Sequence, residues 1–146
     1  MYWPERYHRG LTAKQNKQRK STATRRRKMS WKNPKAYTPF LTDKGVKTRR
    51  SKYISKWKKL FPEAHSLQAY SKATGVPLPL VKASFNRGMA AWRTGHRPGA
   101  TAQQWGYARA ASMLTCGKTH YTTDADLVKK AKQTQKARLW FNKTCK

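Results

Sequence analysis

Apolar residues fall at helical spacing in several short stretches of this chain, separated by Pro, Gly and Ser/Thr punctuation. Thr12, followed three residues later by Gln15, makes a capping-box pair and predicts a helix running to about Lys28. That helix is almost wholly polar, so in isolation it is marginal. The segment beyond it is punctuated by Pro34 and Pro39 and reads as extended, with Trp31, Tyr37 and Phe40 set between cations. Ser51 then caps a short helix whose apolar stripe is Tyr53, Ile54, Trp57, Leu60 and Phe61, with lysines opposite and Pro62 ending it.

The pattern continues through the centre. Ser66 to Thr74 reads as a short helix closed by Gly75. Pro77 and Pro79 lead into a helix over about 79–93, with Val81, Phe85, Met89 and Trp92 on its apolar face. A turn spans Gly95 to Gly99. Thr101 and Gln104 form a second capping-box pair, opening a helix to about Leu114 with Trp105, Ala108 and Leu114 inward, and Gly117 stops it. Asp124 is placed to cap one last helix bearing Leu127, Val128, Ala131 and Leu139. The expected fold class is therefore all-α (mainly α): a small helical core with few strands, a long extended basic N-terminal arm and a basic C-terminal helix.

Charge sharpens this division. The chain has 146 residues, with 34 Lys+Arg against 5 Asp+Glu, a net charge of +29. Residues 1–60 carry +18, residues 61–128 only +4, and residues 129–146 a further +7. The expected organisation is a basic arm over 1–60, a helical core over 61–128 and a basic tail over 129–146. Aromatic residues, among them 6 Trp and 7 Tyr, are too many for a disordered polycation. A charge of this size requires a polyanion or an acidic protein surface to neutralise it. No stretch has the length and apolarity of a membrane span, and the first residues show neither the apolar core of a signal peptide nor a glycine for myristoylation, so no membrane insertion is expected.

Little in the sequence suggests catalysis. Gly117-Lys118-Thr119 looks like the tail of a P-loop, but Ser112 stands where the motif needs its first glycine, and a helix, not a strand, precedes it. Cys116 and Cys145 lack the close cysteine pair of a structural zinc site, and the pattern favours two separate thiols. Four scattered histidines and five carboxylates give general acid–base chemistry little to work with, so no enzyme activity, no metal and no cofactor is expected. The sequon Asn142-Lys143-Thr144 lies in a basic tail and is read as chance.

Cations beside rings are the stronger signal. Trp3, Trp31, Tyr37, Phe40, Tyr53, Trp57 and Trp140 are candidate anchors for neighbouring proteins, although the helical stripe of Tyr53, Trp57 and Leu60 favours the chain's own packing for those three. Arg25, Arg26, Arg27, Lys28, Arg49, Arg50, Lys58, Lys59, Arg87, Arg93, Arg97 and Arg109 are candidate polyanion contacts; the four arginines from Arg87 onward equally suit the core's own carbonyls.

The run from Arg87-Gly88-Met89-Ala90-Ala91-Trp92 through Arg97-Pro98-Gly99 is succeeded by Trp105-Gly106-Tyr107-Ala108-Arg109, Gly117-Lys118 and the pair Asp124 and Asp126. With the earlier Arg9-Gly10-Leu11-Thr12, it resembles an uncharacterised small basic domain family of phycodnaviruses, other large DNA viruses and some phages. The likeness covers about residues 9–20 and 76–128, and departs at His96, where a serine or glycine is the pattern. It implies a virion component and no particular chemistry. On this footing the expected function is a non-enzymatic minor capsid protein lining the inner face of the shell, assembled in the host cytoplasm or nucleus. Its expected partners are major and other minor capsid proteins, reached through the basic arm. The alternative is a DNA-binding, genome-condensing virion protein whose partner is packaged DNA.

Overall fold

A computed structural model describes residues 3–30, 32–46 and 51–145, and among them the fold is helical with no strand. The helices are α1 (Ala13–Arg27), α2 (Lys52–Leu60), α3 (Leu67–Thr74), α4 (Leu78–Arg93), α5 (Ala102–Leu114), α6 (Lys118–Tyr121), α7 (Ala125–Ala131) and α8 (Gln135–Thr144). No helix among the described residues is long and apolar enough to cross a membrane.

The chain forms two compact units that do not follow the expected boundaries at 60 and 128. One takes in residues 1–49 and 89–105; the other takes in residues 50–88 and 106–146. The described part of the first sixty residues is not extended throughout: it carries α1 and α2.

In the first unit, α1 begins as expected, with Thr12 Oγ1 accepting from Gln15 N and the Gln15 side chain accepting from Thr12 N. Its inward face is Arg19, Ala23 and Arg26, so an almost wholly polar helix is held by buried arginines rather than by an apolar stripe. The Pro-punctuated segment is not extended throughout: it makes 3-10 turns at Pro34–Tyr37 and Leu41–Asp43. These turns bring Phe40 into the core of this unit, with Ala23, Trp92 and Ala102. Phe40 lies edge-on to Trp92, centroids 5.7 Å apart, and the guanidinium of Arg26 sits 4.4 Å from the Phe40 centroid.

The second unit is built around Trp57, Tyr70, Val81, Leu114, Leu127 and Phe141. Its punctuation works as read: Ser51 and Ser66 cap α2 and α3, and Gly75 ends α3 in the left-handed conformation at φ +80°. The last helix is two helices, because the chain turns over residues 132–134 between α7 and α8. The break shifts the phase of α8 relative to α7. Ala137 and Phe141 become the inward residues of α8, while Leu139, expected inside, is 59% exposed.

One glycine in this unit is fixed by packing. A Cβ at Gly106 would meet the Phe85 ring at 2.5 Å, and that ring is itself edge-on to Tyr107 at 5.0 Å. Overpacking costs about 1–3 kcal/mol, against a gain of roughly 1 kcal/mol from replacing a helical glycine with alanine. Gly106→Ala is expected to lower the thermal midpoint; a raised midpoint would mean that the ring slides aside.

Candidate nucleic-acid interface

Two faces and the C-terminal end of α1 do different things. The inward face carries Arg19, whose Nη1 donates to Thr42 Oγ1 at 2.6 Å and Asp43 Oδ1 at 2.8 Å, while Nη2 donates to His96 O at 2.6 Å. Arg26 donates from Nη1 to the Ala36 and Thr38 carbonyls, and from Nη2 to Thr38 Oγ1 at 2.8 Å. Burial pulls both guanidinium pKa values down, opposed at Arg19 by Asp43. The C-terminal end is fastened to Arg93 and Thr94. Arg93 Nη1 donates to Arg26 O at 2.7 Å and Met29 O at 2.9 Å, and Arg27 Nε donates to Thr94 O at 3.2 Å.

The outward face is different. Lys17, Lys20, Ser21, Thr24, Arg25 and Lys28 are all exposed and line one shallow groove of about 500 Å³. Their positions step by three or one, the spacing that keeps residues on one side of a helix. From Lys17 to Lys28 the row extends roughly 16 Å at 1.5 Å per residue. α1 contains no acidic residue, so nothing within the helix neutralises the row. Four cations and the Ser21 hydroxyl match the groups that contact phosphate backbones, while Thr24 Oγ1 donates to Lys20 O at 2.8 Å. The cations at its lower end also suit the negative end of the helix dipole.

The other sequence candidates divide sharply. Arg26, Arg93, Arg87 and Arg109 are occupied within the fold. Arg87 donates bidentately to Asp126, Nη1 to Oδ1 at 2.9 Å and Nη2 to Oδ2 at 2.8 Å, and also to Thr123 O and Asp124. Arg109 grips Asp124 from Nε at 3.3 Å and Nη2 at 3.0 Å. The hydrogen bond from Arg87 holds the Asp126 carboxyl well below the ordinary carboxylate range. Arg25, Arg27, Lys28, Lys58, Lys59 and Arg97 are exposed, and Arg49 and Arg50 lie outside the described residues.

The candidate protein anchors turn inward. Trp3 Nε1 donates to Asn16 Oδ1 at 2.7 Å and its ring lies edge-on to Tyr7. Trp57 is fully buried, donates to Ala64 O at 3.2 Å and packs against Tyr70, centroids 4.3 Å apart with the rings tilted by 38°. Trp140 donates to Leu114 O at 2.8 Å and packs on Phe61. Phe40 is buried, and Tyr37 and Tyr53 pack against the cores of their own units. Of these candidates, Trp31 alone lies outside the described residues. The reason is physical: each of these three indoles has found its N–H acceptor inside the fold, so the rings are not held out for a neighbour.

Two clusters escaped the sequence. One is the Arg19–Asp43–His96 group, in which residues far apart in the chain meet. The other joins Cys116 and Cys145, read as separate thiols, whose Cα atoms are 5.5 Å apart and whose sulfurs form a disulfide beside His120. The turn at Cys116 and the end of α8 are brought together by Phe141 and Trp140 docking into the second unit, which no local pattern encodes. Asp124 likewise stands at the N-cap position of α7 but makes no cap hydrogen bond, because its carboxylate is used by Ser84, Arg87 and Arg109.

The model of one protein family, described as a family of unknown function (DUF5824), matches residues 4–134. No curated protein and no solved structure matches the chain.

Proposed function

We propose that this chain, which belongs to the family of unknown function DUF5824, is a non-enzymatic nucleic-acid-binding protein that grips phosphate backbones with the outward face of α1. The observation that carries this reading is the acid-free row Lys17, Lys20, Ser21, Thr24, Arg25 and Lys28, left outside while neighbouring arginines are drawn in. The net charge of +29 supplies the long-range attraction, and exposed Lys58, Lys59 and Arg97 add to it. Contacts of this kind do not read sequence, so binding is expected to be indifferent to base composition.

The test is duplex-DNA affinity as a function of salt. Each phosphate neutralised contributes a slope of roughly 0.9 in log affinity against log salt. Replacing Lys17, Lys20, Arg25 and Lys28 together with glutamine is expected to reduce that slope by roughly 3–4, leaving circular dichroism and the thermal midpoint unchanged. A folded quadruple variant with the slope of the native protein would discard the reading.

A second reading is the minor capsid protein on the inner face of a viral shell, with packaged DNA against the basic side. The likeness to a family of large DNA viruses supports it, and so do Leu41 at 79% and Leu139 at 59% exposure, two apolar side chains available to seat on a neighbouring subunit. Its anchors are then these leucines rather than the described aromatic candidates, which pack within their own units. Shells emptied of DNA and washed at moderate salt separate the two: retention supports a capsid role, release with the DNA supports the first reading.

A further inference from the structure

Cys116 lies just before α6, His120 lies within it, and Cys145 closes α8. Their two sulfurs and the His120 ring nitrogen lie within 4.8 Å of one another. His120 is already oriented. Its Nδ1 bonds the Met113 carbonyl at 2.9 Å, so Nδ1 carries the proton and Nε2 presents a lone pair toward Cys145 Sγ, 3.6 Å away. A backbone carbonyl behind the imidazole is the usual support of a metal-ligating histidine. Nitrogen and sulfur bound to one tetrahedral zinc at 2.0–2.1 and 2.3 Å lie about 3.6 Å apart.

The frame around this cluster is stiff. Trp140 Nε1 fastens Leu114 O, and Lys56 Nζ donates to Thr115 O at 2.9 Å. Cys116 itself sits at φ +61°, a conformation that glycine would adopt without strain, while Gly117 beside it is extended.

We propose that Cys116, His120 and Cys145 form a redox-controlled site for a divalent ion of the zinc class. Reduced, the two thiolates and His120 Nε2 hold the ion and leave a fourth position open, the ligand set of a Cys₂His zinc centre. Loading the ion releases the two thiol protons. Oxidation by a low-molecular-weight disulfide takes one electron from each sulfur, joins them, and yields two small thiolates; the metal leaves unchanged in oxidation state. The disulfide and the metal therefore exclude one another.

The experiment uses the full chain, reduced without oxygen by a phosphine that is then removed, and titrated with Co²⁺. One equivalent is expected to bind with intense tetrahedral bands and sulfur-to-cobalt charge transfer, and Zn²⁺ is expected to displace it. The oxidised chain is expected to show neither signal. Cys145→Ser is expected to abolish the charge-transfer pattern of two thiolates, and His120→Ala to weaken binding by about 10–100-fold or more. If reduction unfolds the chain, refolding on addition of Zn²⁺ supports the site. The proposal is overturned if the reduced, folded chain binds Co²⁺ no better than the oxidised chain or Cys145→Ser, or if a chain unfolded by reduction does not refold with Zn²⁺.

Discussion

Asp124→Ala is expected to destabilise the protein by about 3–5 kcal/mol, the cost of stripping one partner from a buried ion pair. The carboxylate is fully buried, and its two oxygens accept four donors. Oδ1 takes Arg87 Nη1 at 3.2 Å and Arg109 Nη2 at 3.0 Å; Oδ2 takes Ser84 Oγ at 2.8 Å and Arg109 Nε at 3.3 Å. One side chain thereby ties α4, α5 and the start of α7 together. Without it, the Arg109 side chain, largely buried, keeps its charge and loses its counterion. Asp126 makes the internal comparison, since it also pairs with Arg87 but is 55% exposed. Asp126→Ala is expected to cost only a small part of the Asp124 loss, because solvent screens the pair. Urea midpoints measured at constant m-value decide the point. Equal losses for the two variants would show that burial of Asp124 contributes nothing special.

Much of the secondary structure was legible because its signals are local. Thr12 with Gln15, Thr101 with Gln104, Ser51, Ser66 and Gly75 act within three or four residues of themselves, and each sits where the pattern put it. The expected helix phase failed after α7, where Thr134 restarts the chain and turns Leu139 outward, and at the end of α2, where Leu60 of the expected apolar stripe is exposed. What the sequence could not disclose was the fate of its cations and rings. Arg25 and Arg26 are neighbours in one basic run, yet one faces solvent and the other is buried over Phe40. Only helix phase against a buried partner tells them apart, and α1 has almost no apolar residue from which to read that phase. Ala23 was the one available signal: Arg19 and Arg26 lie four before it and three after it, on its face. Pairings such as Asp43 with His96 and Cys116 with Cys145 depend on chain separations of 53 and 29 residues, beyond the reach of any local rule.

The same separation of inner and outer cations gives the second large effect. Asp43→Ala is expected to cost about 3–5 kcal/mol, since it leaves the wholly buried Arg19 guanidinium without its counterion. Asp43 is the hub of the first unit. It accepts from Arg19 and from Gly99 N at 3.0 Å through Oδ1, and from Phe40 N at 3.1 Å through Oδ2, which also meets His96 Nε2 at 2.7 Å. Burial pushes the Asp43 carboxyl up, but its bond to His96, the charges of His96 and Arg19, and the Gly99 N–H together bring it below its ordinary 3.8. A carboxyl depressed in the folded state stabilises at pH above its unfolded value and loses that contribution as pH falls through the folded one. Stability is therefore expected to fall on acidification below about 3.8, with the native chain steeper there than Asp43→Asn. The other groups that feed an acid limb are Asp126, whose carboxyl is also depressed, and His96 and His120, which burial lowers, so that their contribution is lost from below 6.5 and only the part below about 3.8 reports on the carboxylates. An acid limb unchanged in Asp43→Asn would show that the hub does not hold its proton off in the fold. The consequence for the proposed interface is specific. If the proposed interface holds, Asp43→Ala is expected to weaken DNA binding only by unfolding α1's support, with an affinity loss that tracks the unfolded fraction, whereas the Lys17, Lys20, Arg25 and Lys28 variant is expected to lose affinity while fully folded. Two routes to weak binding, one through the inner face of α1 and one through the outer, are thus separable by measuring stability and salt slope on the same samples.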